Sequence, residues 1–225
     1  MGAGHVVLLG DSIFDNKAYV HGSPDVVAQL RDELPPGWKA TLLAVDGDTT
    51  SGVVRQLRSL PRDATHLVVS AGGNDALGFA YLLQERVGSV AEALSILGHA
   101  QDQFVAGYAS MIGAVSATGL PTAVCTIYDT PPSEPDYKVI KTAAALFNDH
   151  ITRAAFARGI WLIDLRLICD EDGDYATPIE PSAQGGRKIA QAIAALLLTE
   201  GDSPRSTVIG RERPGRRPGY PGPGG

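Results

Sequence analysis

The stretch Val6-Val7-Leu8-Leu9-Gly10-Asp11-Ser12 decides the fold class of this chain. Four consecutive apolar residues, two of them β-branched, precede a glycine and an acid, and this pattern predicts a buried parallel strand that ends at a sharp polar turn. Ligands of open α/β sheets bind at the carboxyl ends of such strands. Ser12 is therefore placed like a nucleophile, although a serine at this position is also typical of a helix N-cap.

The alternation of strand and helix continues along the chain. Four more apolar runs end in small or polar residues and predict strands at residues 39–45, 65–70, 121–127 and 160–165. Helical spacing predicts helices at residues 23–34 (capped by Ser23), 49–60, 76–115 (interrupted near Gly88 and Gly98), 138–158 and 182–198. This order predicts a three-layer α/β/α sandwich with a five-stranded parallel sheet, whose strand ends carry Ser12, Gly47 and Asn74 along one edge.

Composition bounds the domain organisation and the partners. The chain has 225 residues, 44% of them hydrophobic, which predicts one globular domain over residues 1–200. Residues 201–225 are rich in Pro, Gly and Arg, and we expect this tail to be disordered. The tail carries a net charge of +3, which leaves −9 for residues 1–200. An acidic body argues against nucleic acid as the main partner.

Cysteine usage and hydropathy predict a cytoplasmic protein. Cys125 and Cys169 lie within or beside apolar runs and without metal-ligand spacing, so we expect two small buried side chains in a reducing compartment. The N-terminal residues carry no basic segment before their short apolar run, and the longest apolar stretch, residues 189–198, is about half a membrane span. Secretion and membrane insertion are therefore not expected.

Three of the predicted strand ends together offer the groups that acyl transfer needs. Ser12 supplies a hydroxyl nucleophile, and Gly47 supplies a backbone N–H that no side chain shields. The amide of Asn74 can donate a hydrogen bond to a developing oxyanion. Such donors are typically worth about 3 kcal/mol each. The sequence therefore predicts a nucleophile with an oxyanion hole formed by Ser12, Gly47 and Asn74.

These motifs resemble a known enzyme family. Gly10-Asp11-Ser12, Gly47 and Gly72-Gly73-Asn74-Asp75 look like blocks I, II and III of the SGNH (GDSL) hydrolases, and residues 181–190 are similar to the segment after that family's last catalytic residue. The resemblance covers about residues 5–198. It implies a flavodoxin-like fold and an esterase that cleaves a small acylated molecule or sugar through an acyl-serine. It implies no metal or organic cofactor.

One position departs from the family pattern. The resemblance implies a histidine that acts as general base in an Asp-x-x-His-Pro segment. This chain instead has Thr177-Pro178-Ile179-Glu180-Pro181, with Glu180 in place of the histidine. Three interpretations stay open. Glu180 is itself the base, His21 in the loop after Ser12 takes that role, or the protein binds its ligand without turnover. His5 and His66 lie at strand beginnings and His99 and His150 within helices, so none of these four is expected near Ser12.

Two acidic segments suggest other chemistry. Residues 170–174 hold four acids that resemble a metal-binding cluster, although an exposed acidic loop is the preferred interpretation; Asp174 is also a candidate to support the base. Residues 43–50 match a strand followed by Asp-x-Asp-x-Thr, the pattern of Mg²⁺-dependent phosphohydrolases that attack phosphorus with the first aspartate. That lesser alternative assigns the chemistry to Asp46 and Asp48.

Overall fold

The structure is a computed structural model that describes residues 3–198, and it confirms the predicted five-stranded parallel sheet between layers of helices. Within the sheet the strands run in the order β2-β1-β3-β4-β5, and every neighbouring pair is parallel. The strands are β1 (His5–Gly10), β2 (Lys39–Leu42), β3 (His66–Ser70), β4 (Thr122–Cys125) and β5 (Trp161–Ile163).

The alternation of side chains along β1 explains why its whole apolar run is buried. Val6 and Leu8 face one layer of helices and Val7 and Leu9 face the other, because successive side chains of a strand point to opposite faces. All four side chains are fully buried. The main helices are α1 (Val26–Glu33), α2 (Thr50–Gln56), α3 (Gly73–Leu77), α4 (Val90–Ser116), α5 (Tyr137–Arg158) and α6 (Ala183–Leu198). Helices α1 and α6 cover the first face, and α2, α4 and α5 cover the second.

The strand order creates a crevice next to Ser12. From β1 the chain crosses to β2 on one side and then returns to β3 on the other side of β1. This reversal is a topological switch point, where the two crossover helices diverge and leave space at the carboxyl ends of the strands. Ser12 follows β1 directly and therefore lies at this crevice.

The boundaries of two predicted helices are corrected. The first helix is capped by Asp25, whose carboxylate accepts a hydrogen bond from the Ala28 N–H at 2.9 Å, and not by Ser23. The third predicted helical region, residues 76–115, is not interrupted at Gly98, because α4 continues through that residue. A single helical glycine costs only about 1 kcal/mol, which the packing of a 27-residue helix outweighs.

The chain also forms a two-stranded antiparallel ribbon of β6 (Tyr175–Thr177) and β7 (Glu180–Pro181), which was not anticipated from the sequence. Cys125 and Cys169 are buried and unpaired, as predicted. Between residues 3 and 198, no helix is long and apolar enough to cross a bilayer. The tail, residues 201–225, lies outside the described residues.

Gly10 allows β1 to end in contact with β3. Its φ of +132° is rarely open to residues with a side chain, and a Cβ atom here would overlap the carbonyl oxygen of Ser70 on β3. The neighbouring Asp11 N–H donates a hydrogen bond to that same carbonyl at 3.2 Å. The approach of the two strand ends therefore requires a glycine.

We expect Gly10→Ala to lower the free energy of unfolding by about 4 kcal/mol or more, because the methyl group adds a backbone clash to an unfavourable φ. Urea denaturation measures this change. Gly98→Ala is the matched control, because a Cβ at Gly98 meets nothing within 4 Å. This control should stabilise the protein by about 0.5–1 kcal/mol. Equal effects of the two substitutions would contradict the packing described for Gly10.

Candidate active site

Ser12 lies in a tight turn and lines a cavity of about 490 Å³. The Asp11 carboxylate accepts a hydrogen bond from the Ile13 N–H at 3.1 Å, and the Asp11 carbonyl accepts one from the Phe14 N–H at 3.1 Å. Asp11 therefore caps this turn, and the alternative role of Ser12 as a cap is not observed. Ser12 itself is only 6% exposed, so its hydroxyl meets a ligand in a largely dehydrated setting.

The side chain of Gln56 ties the end of β1 to the turn that follows β2. Its amide accepts a hydrogen bond from the Gly10 N–H and donates one to the Gly10 carbonyl, both at 2.8 Å. The same amide nitrogen donates to the Asp48 carboxylate at 2.8 Å. Both backbone groups of Gly10 are therefore satisfied by one side chain of α2, which also fixes the turn that follows β2.

A second pair of contacts fixes Asn74. Its amide donates a hydrogen bond to the Asp48 carbonyl at 2.8 Å. The adjacent Asp75 carboxylate accepts hydrogen bonds from the Thr50 N–H at 2.9 Å and the Thr50 hydroxyl at 2.7 Å, which joins the start of α2 to α3. These contacts hold Asn74 at the end of β3, where it lines the same cavity as Ser12.

Gly47 is placed differently from the other two predicted oxyanion donors. It lies in an exposed turn with a φ of +78°, closed by a hydrogen bond from the Asp48 N–H to the Val45 carbonyl at 3.0 Å. It does not contribute to the lining of the cavity. The structure therefore brings Ser12 and Asn74 together and leaves Gly47 at the margin of the site.

Glu180 is brought to the cavity by contacts that the sequence analysis missed. The Thr130 hydroxyl donates to the Pro178 carbonyl at 3.1 Å, and the Asn16 amide donates to the Pro181 carbonyl at 3.2 Å. Asn16 is fully buried and also accepts a hydrogen bond from the Val26 N–H at 3.0 Å. Glu180 is thus held on both flanks, and its side chain is only 6% exposed. The asparagine in the loop after the nucleophile was the available sequence signal.

Burial raises the pKa of Glu180 above the ordinary value of 4.5, and the charge of Asp46 adds to this effect. The Ser12 side chain, as a hydrogen-bond donor to the carboxylate, opposes this rise in pKa. Such contacts are often loose without substrate and tighten once it binds. A carboxylate with a raised pKa is a stronger base, so Glu180 is better suited to accept a proton than an exposed glutamate.

A second buried carboxylate, that of Asp11, lines the cavity beside Ser12. Burial raises the pKa of Asp11 to about 7, the Ile13 N–H opposes this rise, and the negative charges of Glu180 and Asp75 reinforce it. Asp11 therefore titrates near neutral pH, and its proton limits the negative charge that accumulates around Ser12. Clefts that contain such shifted carboxyl groups are typical of functional sites.

Tyr128 and Asp129 also line the cavity and were missed. The Tyr128 hydroxyl and the Oε2 atom of Glu180 are both buried and have no hydrogen-bond partner among the described residues. Burial raises the pKa of Tyr128 well above its usual value, and the charge of Glu180 adds to this effect. Both residues follow β4. The expectation that residues after parallel strands meet at one edge of the sheet, which linked Ser12 with Asn74, was therefore sufficient to find them.

None of the five histidines, all of which lie within residues 3–198, lines the cavity. His21 is exposed and adopts a left-handed φ of +46° in the loop before α1. His5 and His66 open β1 and β3 at the opposite edge of the sheet, and His99 and His150 lie within α4 and α5. The placement of these four agrees with expectation, and the placement of His21 does not favour it as the base.

The acidic loop at residues 170–174 is organised around Lys188. The Lys188 ammonium lies 2.8 Å from the Asp174 carboxylate, 3.1 Å from that of Glu171 and 3.6 Å from that of Asp170. Asp174 is fully buried by these contacts and does not line the cavity, so it is not positioned to support Glu180. No group of three potential metal ligands occurs within residues 3–198.

Thr177 stands at the position of the family's aspartate. It accepts a hydrogen bond from the Ile179 N–H at 3.3 Å and so shapes the turn before Glu180.

The two aspartates of the phosphohydrolase-like motif stabilise the turn after β2. The Asp46 carboxylate accepts a hydrogen bond from the Tyr19 hydroxyl at 2.8 Å, and the Asp48 carboxylate pairs with the Arg55 guanidinium at 2.8 Å. Neither aspartate lines the cavity that contains Ser12. The geometry therefore does not favour the lesser alternative.

Comparisons with known proteins agree with the fold. Among solved structures, the chain resembles an extracellular lipase from Streptomyces rimosus (19% identity, TM-score 0.63, 88% of this chain and 100% of that chain covered). It also resembles the acetyl xylan esterase AlAXEase (16% identity, TM-score 0.65, 86% and 100% covered). A third is the carbohydrate acetylesterase Est24 from Sinorhizobium meliloti (13% identity, TM-score 0.60, 86% and 98% covered). At these sequence identities, the similarities show a shared fold and no more.

No curated protein matches the chain. The model of the GDSL-like lipase/acylhydrolase family matches residues 8–188, a range that includes the Ser12 turn, Asn74 and Glu180. The chain therefore belongs to the GDSL-like lipase/acylhydrolase family.

Proposed function

We propose that this protein is a serine esterase that cleaves a carboxylic ester of a small acylated molecule, with Ser12 as the nucleophile and Glu180 as the general base. The observation that carries this proposal is the presence of Ser12, Asn74 and Glu180 in the lining of one cavity at the switch point of the sheet. Family membership supports the reaction class. The choice of a glutamate as base goes beyond that support.

In the proposed acylation step, Glu180 accepts the Ser12 proton while Oγ forms a bond to the ester carbonyl carbon. The negative charge passes to the carbonyl oxygen, which receives hydrogen bonds from the Ser12 N–H, the Asn74 amide and, in this proposal, the Gly47 N–H. When the tetrahedral intermediate collapses, the bond to the alcohol oxygen breaks and Glu180 returns its proton to that oxygen. Water then attacks the acyl-serine by the same route and releases the carboxylic acid.

A glutamate is an effective base for a serine only where its surroundings raise its pKa. An exposed glutamate has a pKa about two units below that of histidine, so it draws the serine proton less effectively. Burial of Glu180 narrows this gap by raising its pKa. The low solvent exposure of the Glu180 carboxylate is therefore part of the proposed mechanism.

A second candidate function is a binding protein on a hydrolase scaffold. The observation that favours it is the glutamate at the position of the family's histidine, together with the absence of any of the five histidines from the cavity. Weak hydrolysis alone does not separate the two functions, because a serine with an oxyanion hole retains about 10³-fold catalysis over water. Reactivity of Ser12 does separate them.

The proposed partner is a small-molecule ester, and the proposed compartment is the cytoplasm. Cys125 and Cys169 are both free and buried, which supports a reducing environment. The acidic body of residues 1–200 supports a small ligand over nucleic acid.

A fluorophosphonate probe should label the full-length protein at Ser12 between about pH 6 and 9, because an activated serine displaces fluoride from phosphorus. Mass spectrometry of the labelled peptide identifies the site. Ser12→Ala should abolish labelling, whereas Ser110→Ala, which changes an exposed serine on α4, should leave it intact. Absence of labelling of the wild-type protein over this range would exclude the esterase and favour the binding protein.

Glu180→Gln should lower kcat/KM for p-nitrophenyl acetate by about 10²-fold or more, because it removes the general base. In the wild type, kcat/KM should fall on the acid side with a midpoint above pH 4.5, since the reactive form is the ionised carboxylate and burial raises its pKa. Glu180→His should move this midpoint to about 6.5.

Glu33→Gln is the matched control for this series, because Glu33 is exposed at the end of α1. An unchanged rate for Glu180→Gln, together with a large loss for His21→Ala, would transfer the role of base to His21.

A further inference from the structure

The Tyr128 hydroxyl and the Oε2 atom of Glu180 are two complementary polar groups that the fold leaves unused. Both side chains line the cavity and are more than nine-tenths buried, with 7% of Tyr128 and 6% of Glu180 exposed. Neither atom has a hydrogen-bond partner among the described residues. Buried polar groups are nearly always paired, and a catalytic role is one of the few reasons for an exception. The phenol is a donor and the carboxylate an acceptor, so one ligand can use both.

The hydrogen-bonding capacities of the two atoms define the kind of group that fits between them. Because the phenol and the carboxylate do not bond to each other, such a group accepts from Tyr128 and donates to Glu180. A hydroxyl group does both through a single oxygen atom, whereas a carbonyl group can only accept and an ammonium group can only donate. An alcohol or a water molecule is therefore the matching ligand.

Tyr128 is held in place from two sides at the end of β4. The Asn148 side chain accepts a hydrogen bond from the Ile127 N–H at 2.8 Å and donates one to the Ile127 carbonyl at 2.7 Å, which fixes the backbone just before Tyr128. The Tyr128 ring packs edge-on against that of Tyr175, with ring centroids 5.2 Å apart. The Tyr175 hydroxyl in turn donates to the Cys169 carbonyl at 2.7 Å. These contacts position the Tyr128 hydroxyl without any ligand.

The surroundings of Tyr128 keep its hydroxyl protonated. Burial raises the pKa of Tyr128 well above its usual value, and the negative charges of Glu180 and Asp11 add to this effect. Because both carboxylates affect it, the hydroxyl lies within electrostatic range of the groups that flank Ser12. A neutral phenol is therefore available as a donor at every pH at which the ionised Glu180 acts.

The reaction proposed for Ser12 brings an alcohol oxygen to Glu180. When the tetrahedral intermediate collapses, the bond from the carbonyl carbon to the alcohol oxygen breaks, and the proton that Glu180 took from Ser12 passes to that oxygen. Negative charge develops on the alcohol oxygen as this bond breaks. A donor aimed at the same oxygen stabilises that charge, and does so most in a site with little water.

We propose that Tyr128 is a further catalytic residue, whose hydroxyl donates a hydrogen bond to the leaving alcohol oxygen while Glu180 protonates it. The phenol keeps its own proton, so the step needs only the one proton transfer from Glu180. This inference rests on the proposed function, because it assumes that Ser12 attacks the carbonyl carbon. It gives a role to the end of β4, which the nucleophile and the oxyanion donors do not use.

A leaving-group comparison with the full-length protein tests this role. Tyr128→Phe should lower kcat/KM for ethyl acetate by about tenfold or more, because ethoxide is a poor leaving group that depends on the donated hydrogen bond. For p-nitrophenyl acetate the loss should stay below about threefold, since p-nitrophenoxide leaves without a proton. The acyl group is the same in both esters, so the ratio isolates the alcohol side. Equal losses with both esters would overturn the proposal and leave the esterase intact.

Tyr81→Phe is the matched control, because it removes the same oxygen from an exposed tyrosine that does not line the cavity. Both of its kcat/KM values should equal those of the wild type. Urea denaturation separates catalysis from folding. The Tyr128 hydroxyl has no partner among the described residues, so Tyr128→Phe should leave the urea midpoint unlowered. A lowered midpoint, with the same loss of rate for both esters, would assign Tyr128 a structural role alone.

A binding measurement tests the contact without turnover. The full-length Ser12→Ala protein is labelled with carbon-13 at the tyrosine Cζ atom, whose resonance responds to hydrogen bonding of the attached hydroxyl. Loss of one signal in Ser12→Ala combined with Tyr128→Phe assigns Tyr128. Butan-1-ol should move this signal, whereas 1-chlorobutane, which has a similar shape and no hydroxyl, should not. No movement with butan-1-ol, or equal movement with both compounds, would overturn the proposal whether or not the protein is an esterase.

Discussion

The side chain of Gln56 holds the structural frame of the site together. It satisfies both backbone groups of Gly10 at the end of β1 and also binds Asp48 in the turn after β2. Asn74, after β3, bonds to the same Asp48 through its carbonyl. Three strand ends thus share one hydrogen-bonded network, whose buried members would be costly to leave unsatisfied. The relative positions of Ser12 and Asn74 follow from it.

This network explains how a reactive group can be placed in a sharp turn. Gly10 brings β1 against β3 with a backbone conformation that only glycine adopts readily, and the turn at Asp11 then presents Ser12 to the cavity. Glu180 arrives from the far end of the chain and is held by Asn16 and Thr130. Long-range contacts therefore complete a site that begins with one short segment. Burial of Glu180 also raises its pKa, as the proposed role of general base requires.

Much of the fold was predictable because buried parallel strands have a plain sequence signal. The apolar run before Ser12 predicted a central strand, and the later runs predicted the remaining four strands. Helix boundaries were less predictable, since Asp25 and Ser23 are both good caps and only the backbone geometry decides between them. The uninterrupted passage of α4 through Gly98 depends on packing that the local sequence does not encode.

The candidate site was predictable where a residue follows a strand and not where it depends on tertiary contacts. Ser12 and Asn74 line one cavity as the strand-end rule implied, while Gly47 lies in an exposed turn and is not part of the lining. The apolar part of the cavity lining, contributed by residues 73–84 and α5, has no sequence motif. Only the structure shows that these two segments line one cavity.

The central claim is that Ser12 forms a covalent acyl-enzyme, and rapid-quench mass spectrometry tests it most directly. Full-length protein is mixed with excess p-nitrophenyl acetate, quenched in acid within its first turnovers, and digested. The account predicts an acetyl group on the peptide that contains Ser12, formed at the same rate as the first equivalent of p-nitrophenol. Release of p-nitrophenol with no acetylated Ser12 peptide, or with the acetyl group on another residue, would contradict it.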